Sequence, residues 1–170
     1  ANTLPKTLNF ISEFCDNGCI PEATIGGKTY KLDMKIDSID VSGFAPSDNE
    51  WYAGDLIEVN VDLDNIGGNN ADLNDVTLEV CFYEKDSGDC ILDEDDMDLT
   101  DNSFDLDEGD DTTITISFEL NPEDLDQPGD YVLYIKAYSD DLGESSLVVQ
   151  DSEDITVVKD DFVVLNKVNI

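Results

Sequence analysis

Apolar and polar residues alternate strictly along several stretches of this chain, and a period of two is the signature of half-buried β-strands. The clearest run is Thr112–Leu120, where Ile114, Ile116, Phe118 and Leu120 alternate with polar residues. Successive side chains of a strand point to opposite faces, so this run presents one apolar face to a core and one polar face to water. The pattern predicts antiparallel sheets that are solvated on one side.

The same alternation recurs in other segments that lie between polar turns. Leu32–Ile36 alternates with charged residues, and Ile39 and Val41 continue the pattern after a one-residue slip, which predicts a β-bulge. Further strands are predicted at Leu56–Leu63, Val76–Phe82, Cys90–Leu92, Tyr131–Ala137 and Ser152–Lys159. About seven short strands without an amphipathic helix predict an all-β, immunoglobulin-like two-sheet β-sandwich.

The pattern divides the chain into three regions. Residues 1–31 are weakly periodic and form a short N-terminal lead-in with one short strand at 8–14, whereas residues 32–158 form the sandwich. Residues 159–170 are predicted to be a linker and the first, truncated strand of a following repeat. The alternation assigns nine residues to a common core: Ile57, Val59, Val61, Val80, Phe82, Ile116, Phe118, Leu133 and Ile135.

The prediction of a repeat rests on an internal similarity. Ile36–Val41 and Leu165–Ile170 share one pattern, in which an apolar residue is followed by two polar, one apolar, one polar and one apolar residue. The two copies are separated by roughly the length of one sandwich domain with its linker. We therefore expect the module to belong to a tandem array.

The charge of the chain excludes several classes of function. The chain has 42 acidic residues and 8 basic residues, all of them lysine, so its net charge is −34. It contains no histidine. A polyanion of this density repels phosphate backbones, so we expect no nucleic-acid partner. Without histidine the usual general base is missing, and without arginine no bidentate clamp for an anionic substrate can form. The sequence thus predicts a protein that is not an enzyme, and no segment is apolar for long enough to insert into a membrane.

The four cysteines form two close pairs in the sequence, Cys15 with Cys19 and Cys81 with Cys90. Their spacings do not match those of zinc sites, so two disulfides in an oxidising, extracellular setting are the better interpretation. The local pairing is one of three possible connectivities, and a bridge from the lead-in into the hairpin remains open. Cys81 shares a face with Thr77 and Glu79, so a bond to Cys90 would lie on the outer face of the hairpin.

Clusters of aspartate are the candidate ion sites. Calcium takes six to eight oxygen ligands, which crowded carboxylates in loops can supply. The candidate ligands are Asp62, Asp64, Asp72, Asp75, Asp93, Asp95, Asp96 and Asp98. None of these segments has the EF-hand pattern, and a solvated acidic face is the simpler interpretation. We expect no cofactor other than a possible Ca²⁺.

Five segments resemble archaeal S-layer proteins that contain tandem immunoglobulin-like modules of the CARDB (cell-adhesion-related) type. They lie at residues 49–61, 104–110, 129–138, 151–155 and 161–165, and the similarity extends over residues 10–170. The resemblance implies a β-sandwich module of a cell-surface protein, with an architectural role. It also implies a disulfide from the lead-in to a cysteine shortly before residue 151, but Glu144–Gln150 contains no cysteine.

The expected function is therefore a non-catalytic structural repeat of an archaeal, extracellular S-layer-like protein. Its expected partners are other modules of the same chain and neighbouring copies in a surface lattice. The alternative is an extracellular binding module for adhesion, glycans or calcium, with Trp51 and the loop tips as the contact surface. Because a lone tryptophan in a sandwich is usually core filling, an exposed Trp51 would be needed to support this alternative.

Overall fold

A computed structural model describes residues 20–43, 47–101, 103–125, 127–139 and 147–158. These residues form eleven strands and two short 3-10 turns, and none of them is in an α-helix. The strands are β1 (Glu22–Ile25), β2 (Lys28–Ser42), β3 (Glu50–Tyr52), β4 (Leu56–Asn65), β5 (Leu73–Glu84), β6 (Cys90–Asp93), β7 (Asp98–Leu99), β8 (Ser103–Leu106), β9 (Asp111–Glu119), β10 (Gly129–Ser139) and β11 (Leu147–Val158).

The strands build two sheets that pack face to face. The first sheet has the order β1-β2-β4-β9-β7, and the second has the order β3-β11-β10-β5-β6, with β8 also paired to β5. All pairs are antiparallel except β3 with β11, which is parallel. The orders β2-β4-β9-β7 and β5-β10-β11 match the two sheets of an immunoglobulin-type sandwich. The predicted all-β sandwich is confirmed.

The core lies between the sheets and is formed by the residues that the alternation pointed inward. All nine residues predicted to be buried together belong to one buried cluster. Trp51 lies at its centre, where its ring stacks on Phe82 at 5.1 Å and meets Phe118 edge-on at 5.7 Å. Burial of each such large apolar side chain stabilises the fold by about 1.5–3 kcal/mol.

The register of β2 on β4 shifts between Ile36 and Ser38, which confirms the predicted bulge. At this bulge the main-chain N–H of Ile36 donates a 2.8 Å hydrogen bond to Oδ2 of Asp151 on β11. Because β2 and β11 belong to different sheets, this bond joins the two layers directly. An exposed bulge would satisfy the same N–H with water.

Strands also occur where the alternation gave no sign of them. β1 and β2 form a hairpin through Gly26 and Gly27, so the first sheet begins at Glu22, ahead of the boundary drawn at Leu32. β11 begins at Leu147, five residues before the predicted start at Ser152. The strand expected at 8–14 and the repeat segment 159–170 lie outside the described residues.

Candidate functional site

The outward face of the first sheet carries rows of acidic residues. Asp64 on β4 lies directly opposite Asp33 on β2 and Asp111 on β9, so three carboxylates form one row across three strands. Asp40 and Glu58 form a second row of the same kind. Directly opposite side chains of a sheet have Cβ atoms about 5 Å apart, and like charges there destabilise the pairing. This outer face can attract cations, and it repels polyanions.

The next row of this face is partly neutralised. Asp62 lies between Lys35 and Thr113, and Thr113 Oγ1 donates a 2.8 Å hydrogen bond to Asp62 Oδ1. Asp62 and Asp64 line an open depression of about 360 Å³. A larger depression of about 590 Å³ lies at the other end of the same face and includes Asp98.

The other predicted calcium ligands are already used as acceptors for main-chain N–H groups or lie apart. Asp72 Oδ1 accepts from the N–H of Glu108 at 2.9 Å. Asp93 Oδ1 accepts from the N–H of Asp95, and Asp96 Oδ2 accepts from that of Asp93, as in a helix capping box. Asp75 lies within β5, at the irregularity between Leu73 and Val76 in the pairing with β8, where its φ is 52°.

The structure therefore distributes the eight aspartates over several strands and turns and does not bring all of them together. Within the described parts of residues 20–158, no group of three or more acidic, histidine or cysteine side chains is arranged to hold a metal ion. Aspartate at these positions mostly serves turns, short helical caps and the solvated face of a sheet, which is where its short carboxylate is favoured.

Among the residues that the structure describes, four polar or charged residues outside the apolar core are buried, and two of them organise the ends of the sandwich. Asn65 is fully buried at the end of β4, where its Nδ2 donates to the carbonyl oxygens of Ala71 and Leu106, both at 2.9 Å. Its Oδ1 accepts from the N–H of Gly67 at 3.0 Å. Asn65 thus joins the β4–β5 connection to β8, and its bonding pattern is that of a structural residue.

Asp55 performs the corresponding role at the opposite end. Its buried Oδ2 accepts from the N–H of Tyr52 at 2.8 Å, in the turn between β3 and β4. Gly43 packs so closely that a β-carbon there would overlap the Asp55 carboxylate. No open cavity is lined by Asp55 or Asn65 among the depressions of the described residues.

The hairpin cysteines Cys81 and Cys90 form a disulfide that joins β5 to β6 on the outward side of the second sheet. Cys15 and Cys19 lie outside the described residues. The outward side next to this disulfide is unusually apolar. Cys81, Tyr83 and Val132 form a second buried cluster, against which Tyr134 packs. We refer to these four residues as the outer patch.

The outer patch changes the proton affinity of one of its members. Burial raises the pKa of the Tyr134 hydroxyl above its usual value, and the neighbouring Tyr83 and Asp154 raise it further. Lys85 acts in the opposite direction more weakly. A tyrosine held in its neutral form is suited to packing and hydrogen bonding, and it offers no nucleophile.

Trp51 and Tyr83 are both buried and form no exposed aromatic platform. Trp51, proposed as the contact residue of a binding module, is fully buried, and its Nε1 donates to the main-chain oxygen of Asp48 at 2.7 Å. The burial of Trp51 agrees with the core-filling interpretation and gives no support to a contact role for this residue. Tyr83 in the outer patch is also only 4% exposed.

Comparisons with known proteins give only distant similarities. No family model matches the chain, and no curated protein matches it. The solved structures to which it is similar include the C-terminal domain of Wzt, with 14% identity, a TM-score of 0.49, and coverage of 76% of this chain and 78% of that one. A family 123 glycoside hydrolase from Clostridium perfringens gives 14% identity and a TM-score of 0.48, over 65% of this chain.

A β-glucosidase from Listeria innocua gives 14% identity and a TM-score of 0.44, over 75% of this chain. The chain spans 23% of the length of the Clostridium enzyme and 16% of that of the Listeria enzyme. We draw no functional argument from similarities this weak. Among the described residues, no helix is long and apolar enough to cross a membrane.

Proposed function

We propose that this chain is a non-catalytic structural module of an archaeal cell-surface protein of the S-layer type. The observation that carries the proposal is the path of the chain through the sandwich. Ile20 pairs with Val148 at the beginning of β11, and Val158 ends the same strand beside Tyr52. The polypeptide therefore enters at one end of β11 and leaves at the other, roughly 33 Å further along at about 3.3 Å per residue.

Such a path suits a head-to-tail array. Each module would advance the chain by the length of one strand, and force applied to the two ends would act along β11 and be shared by its ladders with β10 and β3. The motif shared by Ile36–Val41 and Leu165–Ile170 supports the same arrangement. Its first copy lies on β2, at the bulge that Asp151 binds.

In this proposal, the acidic rows of the first sheet determine how the surface of the module interacts with water and with cations. They keep the outer face hydrated, and cations shared between neighbouring copies would screen Asp33, Asp64 and Asp111 where two modules approach. The Cys81–Cys90 disulfide limits unravelling of the β5–β6 hairpin in an oxidising environment. No cofactor is required for this role.

Immunogold electron microscopy of intact source cells tests the proposal. An antiserum against the folded domain should label the outer surface densely, whereas an antiserum against a cytoplasmic protein should label only permeabilised cells. Extraction of the envelope should release the antigen as one polypeptide larger than this domain. Label confined to the cytoplasm would refute the cell-surface role, and sparse surface label on a small protein would refute the array.

A further inference from the structure

One end of the first sheet carries an exposed apolar side chain among carboxylates. Leu56, at the start of β4, is 57% exposed and lines the depression of about 590 Å³ on the outward face. The register places Asp40 and Ser117 on either side of Glu58, and Asp98 beyond Ser117. No lysine lines this depression. We refer to it as the acidic depression, and its charged residues are Asp40, Glu58, Asp98 and Glu119.

The opposite end of this sheet is formed by the β1–β2 hairpin and the loop that follows β4. The N–H of Ile66 donates to the carbonyl oxygen of Lys31 at 3.0 Å, and Nδ2 of Asn69 donates to a main-chain oxygen of the hairpin turn at 3.1 Å. We refer to residues 22–31 and 66–71 together as the hairpin end. They include two lysines and one glutamate, so their formal charge is +1 in a chain of net charge −34.

The hairpin end also presents an exposed apolar side chain beside its charges. Ile66 is 45% exposed. Lys28 is exposed, and it forms no ion pair with another described residue. Lys31 is paired only to the exposed Glu22, at 3.5 Å. Ile66 and Leu56 lie at opposite ends of β4, roughly 30 Å apart at about 3.3 Å per residue. The two ends therefore match in apolar character and differ in charge.

We propose that the hairpin end of one copy docks into the acidic depression of a second copy. Lys28 and Lys31 would meet the carboxylates of the depression, and Ile66 would pack near Leu56. Because the two surfaces differ, each pair leaves one hairpin end and one depression unoccupied, so copies add in a row. At about 0.15 M salt the Debye length is about 8 Å, which screens repulsion between the distant charges of two copies more than ion pairs in contact.

This contact rests on the proposed function for its setting, since a surface array requires contacts between copies, but it can be measured in solution. Sedimentation velocity of the full chain at about 0.15 M salt should show association that increases with protein concentration. Leu56→Asp and Ile66→Asp should each raise the dissociation constant by about ten-fold or more. The matched control is Ile20→Asp, because Ile20 is an equally exposed apolar residue that pairs with the second sheet. It should leave association unchanged.

The lysines provide a second comparison that does not depend on the folding of the apolar variants. Lys28→Glu should weaken association by about ten-fold or more, whereas Lys85→Glu, which changes the net charge equally beside the second sheet, should not. A chain that stays monomeric at all concentrations would overturn the proposal. So would equal losses in Lys28→Glu and Lys85→Glu, because net charge alone would then govern association.

Complementation identifies the two surfaces directly. A double variant with Lys28→Glu and Lys31→Glu should be monomeric, and so should one with Glu58→Lys and Glu119→Lys. Their mixture should associate, because the second keeps its hairpin end and the first keeps its depression. A mixture of folded variants that stays monomeric would overturn the docking. A monomeric unsubstituted chain on densely labelled cells would refute this contact and leave the structural role, whereas association of a cytoplasmic antigen would do the reverse.

Discussion

The phenolic oxygen of Tyr131 donates a hydrogen bond to the main-chain oxygen of Gln127, 2.7 Å away and four residues earlier. The same hydroxyl lies 3.0 Å from Oε2 of Glu84, which is buried. Tyr131 is near the start of β10, at the position where immunoglobulin-type sandwiches have a tyrosine corner. Its ring also stacks on Phe82 at 4.8 Å, so this residue holds the turn before β10 against the core.

Replacement of Tyr131 by phenylalanine should destabilise the protein although it keeps the ring. The main-chain oxygen of Gln127 would lose its donor and the buried Glu84 carboxylate its polar neighbour, which costs about 1–3 kcal/mol. The melting temperature should fall by about 2–4 °C for each kcal/mol in a chain of this size. Tyr30→Phe is the control, and its effect should stay within about 0.5 kcal/mol. Equal melting temperatures for the two variants would show that the corner contributes nothing.

The long strands could be predicted from the sequence, and so could β6 from the turn before it, but the other short strands could not. A run such as Thr112–Leu120 repeats its period often enough to be recognised, whereas β3, with three residues, and β7, with two, cannot show a period. These short strands are defined by their hydrogen bonds to neighbouring strands and not by a sequence pattern of their own. Alternation also cannot reveal pairing partners, so the parallel contact of β3 with β11 was not foreseeable.

The start of β11 was predicted wrongly for a different reason, which is the presence of acidic residues on its inward side. Its inward side reads Leu147, Val149, Asp151, Glu153 and Ile155, so two acidic residues interrupt the apolar pattern. The predicted strand began only at Ser152, after Asp151. In the structure Asp151 is inward because it binds the Ile36 N–H at the bulge of β2. The bulge could be predicted from the sequence alone, but only the packing of the two sheets connects it with Asp151.

Asp151→Ala should consequently cost about 1–3 kcal/mol of unfolding free energy, because the Ile36 N–H would lose its acceptor in a partly buried position. Asp151→Asn retains an oxygen acceptor and should cost clearly less. Asp86→Ala removes the same charge from an exposed turn and serves as the control. Urea unfolding curves of the three variants measure the differences. If the two Asp151 variants are equally unstable, the hydrogen bond to Ile36 is not the cause.

In the acidic row of the first sheet, we expect that removing one charge increases the stability of the protein. Asp64→Asn removes the middle charge between Asp33 and Asp111, so it should stabilise the protein at low ionic strength. Asp86→Asn, in an exposed turn, changes the net charge equally and should have a smaller effect. The Debye length falls to about 3 Å in 1 M salt, so the two variants should converge there. Thermal melts at low and molar sodium chloride provide the comparison.

An increase in stability that persists unchanged at molar salt would contradict repulsion as the cause. The unsubstituted protein should itself become more stable as salt is added, because its net charge of −34 is screened.

The surfaces were less predictable than the core. Alternation identifies which residues share a face, but it does not show whether that face is covered, so the burial of Tyr83 and Val132 was not foreseen. Neither could sequence spacing show that the candidate calcium ligands would be separated. Asp62, Asp72 and Asp93 lie on different strands and turns, and their positions depend on strand order rather than on distance along the chain.

The outer patch leads to a prediction on pH. The pKa of Tyr134 is raised by burial and by Tyr83 and Asp154, so folding favours the neutral phenol. The resulting stabilisation is fully present below the unfolded pKa of about 10 and is lost as the pH rises through the higher folded pKa. In Tyr134→Phe this loss cannot occur. The unfolding free energy of the unsubstituted protein should therefore fall relative to that of the variant as the pH passes about 10.

Urea unfolding of both proteins at pH 8 and at about pH 11 measures this difference, because the titration of the other tyrosines and lysines affects both proteins alike. A spectrophotometric titration should also show a late-forming tyrosinate that is absent from the variant. Tyr30→Phe should leave that late transition in place. A difference in unfolding free energy that is the same at both pH values would mean that Tyr134 ionises as readily in the folded chain as in the unfolded one.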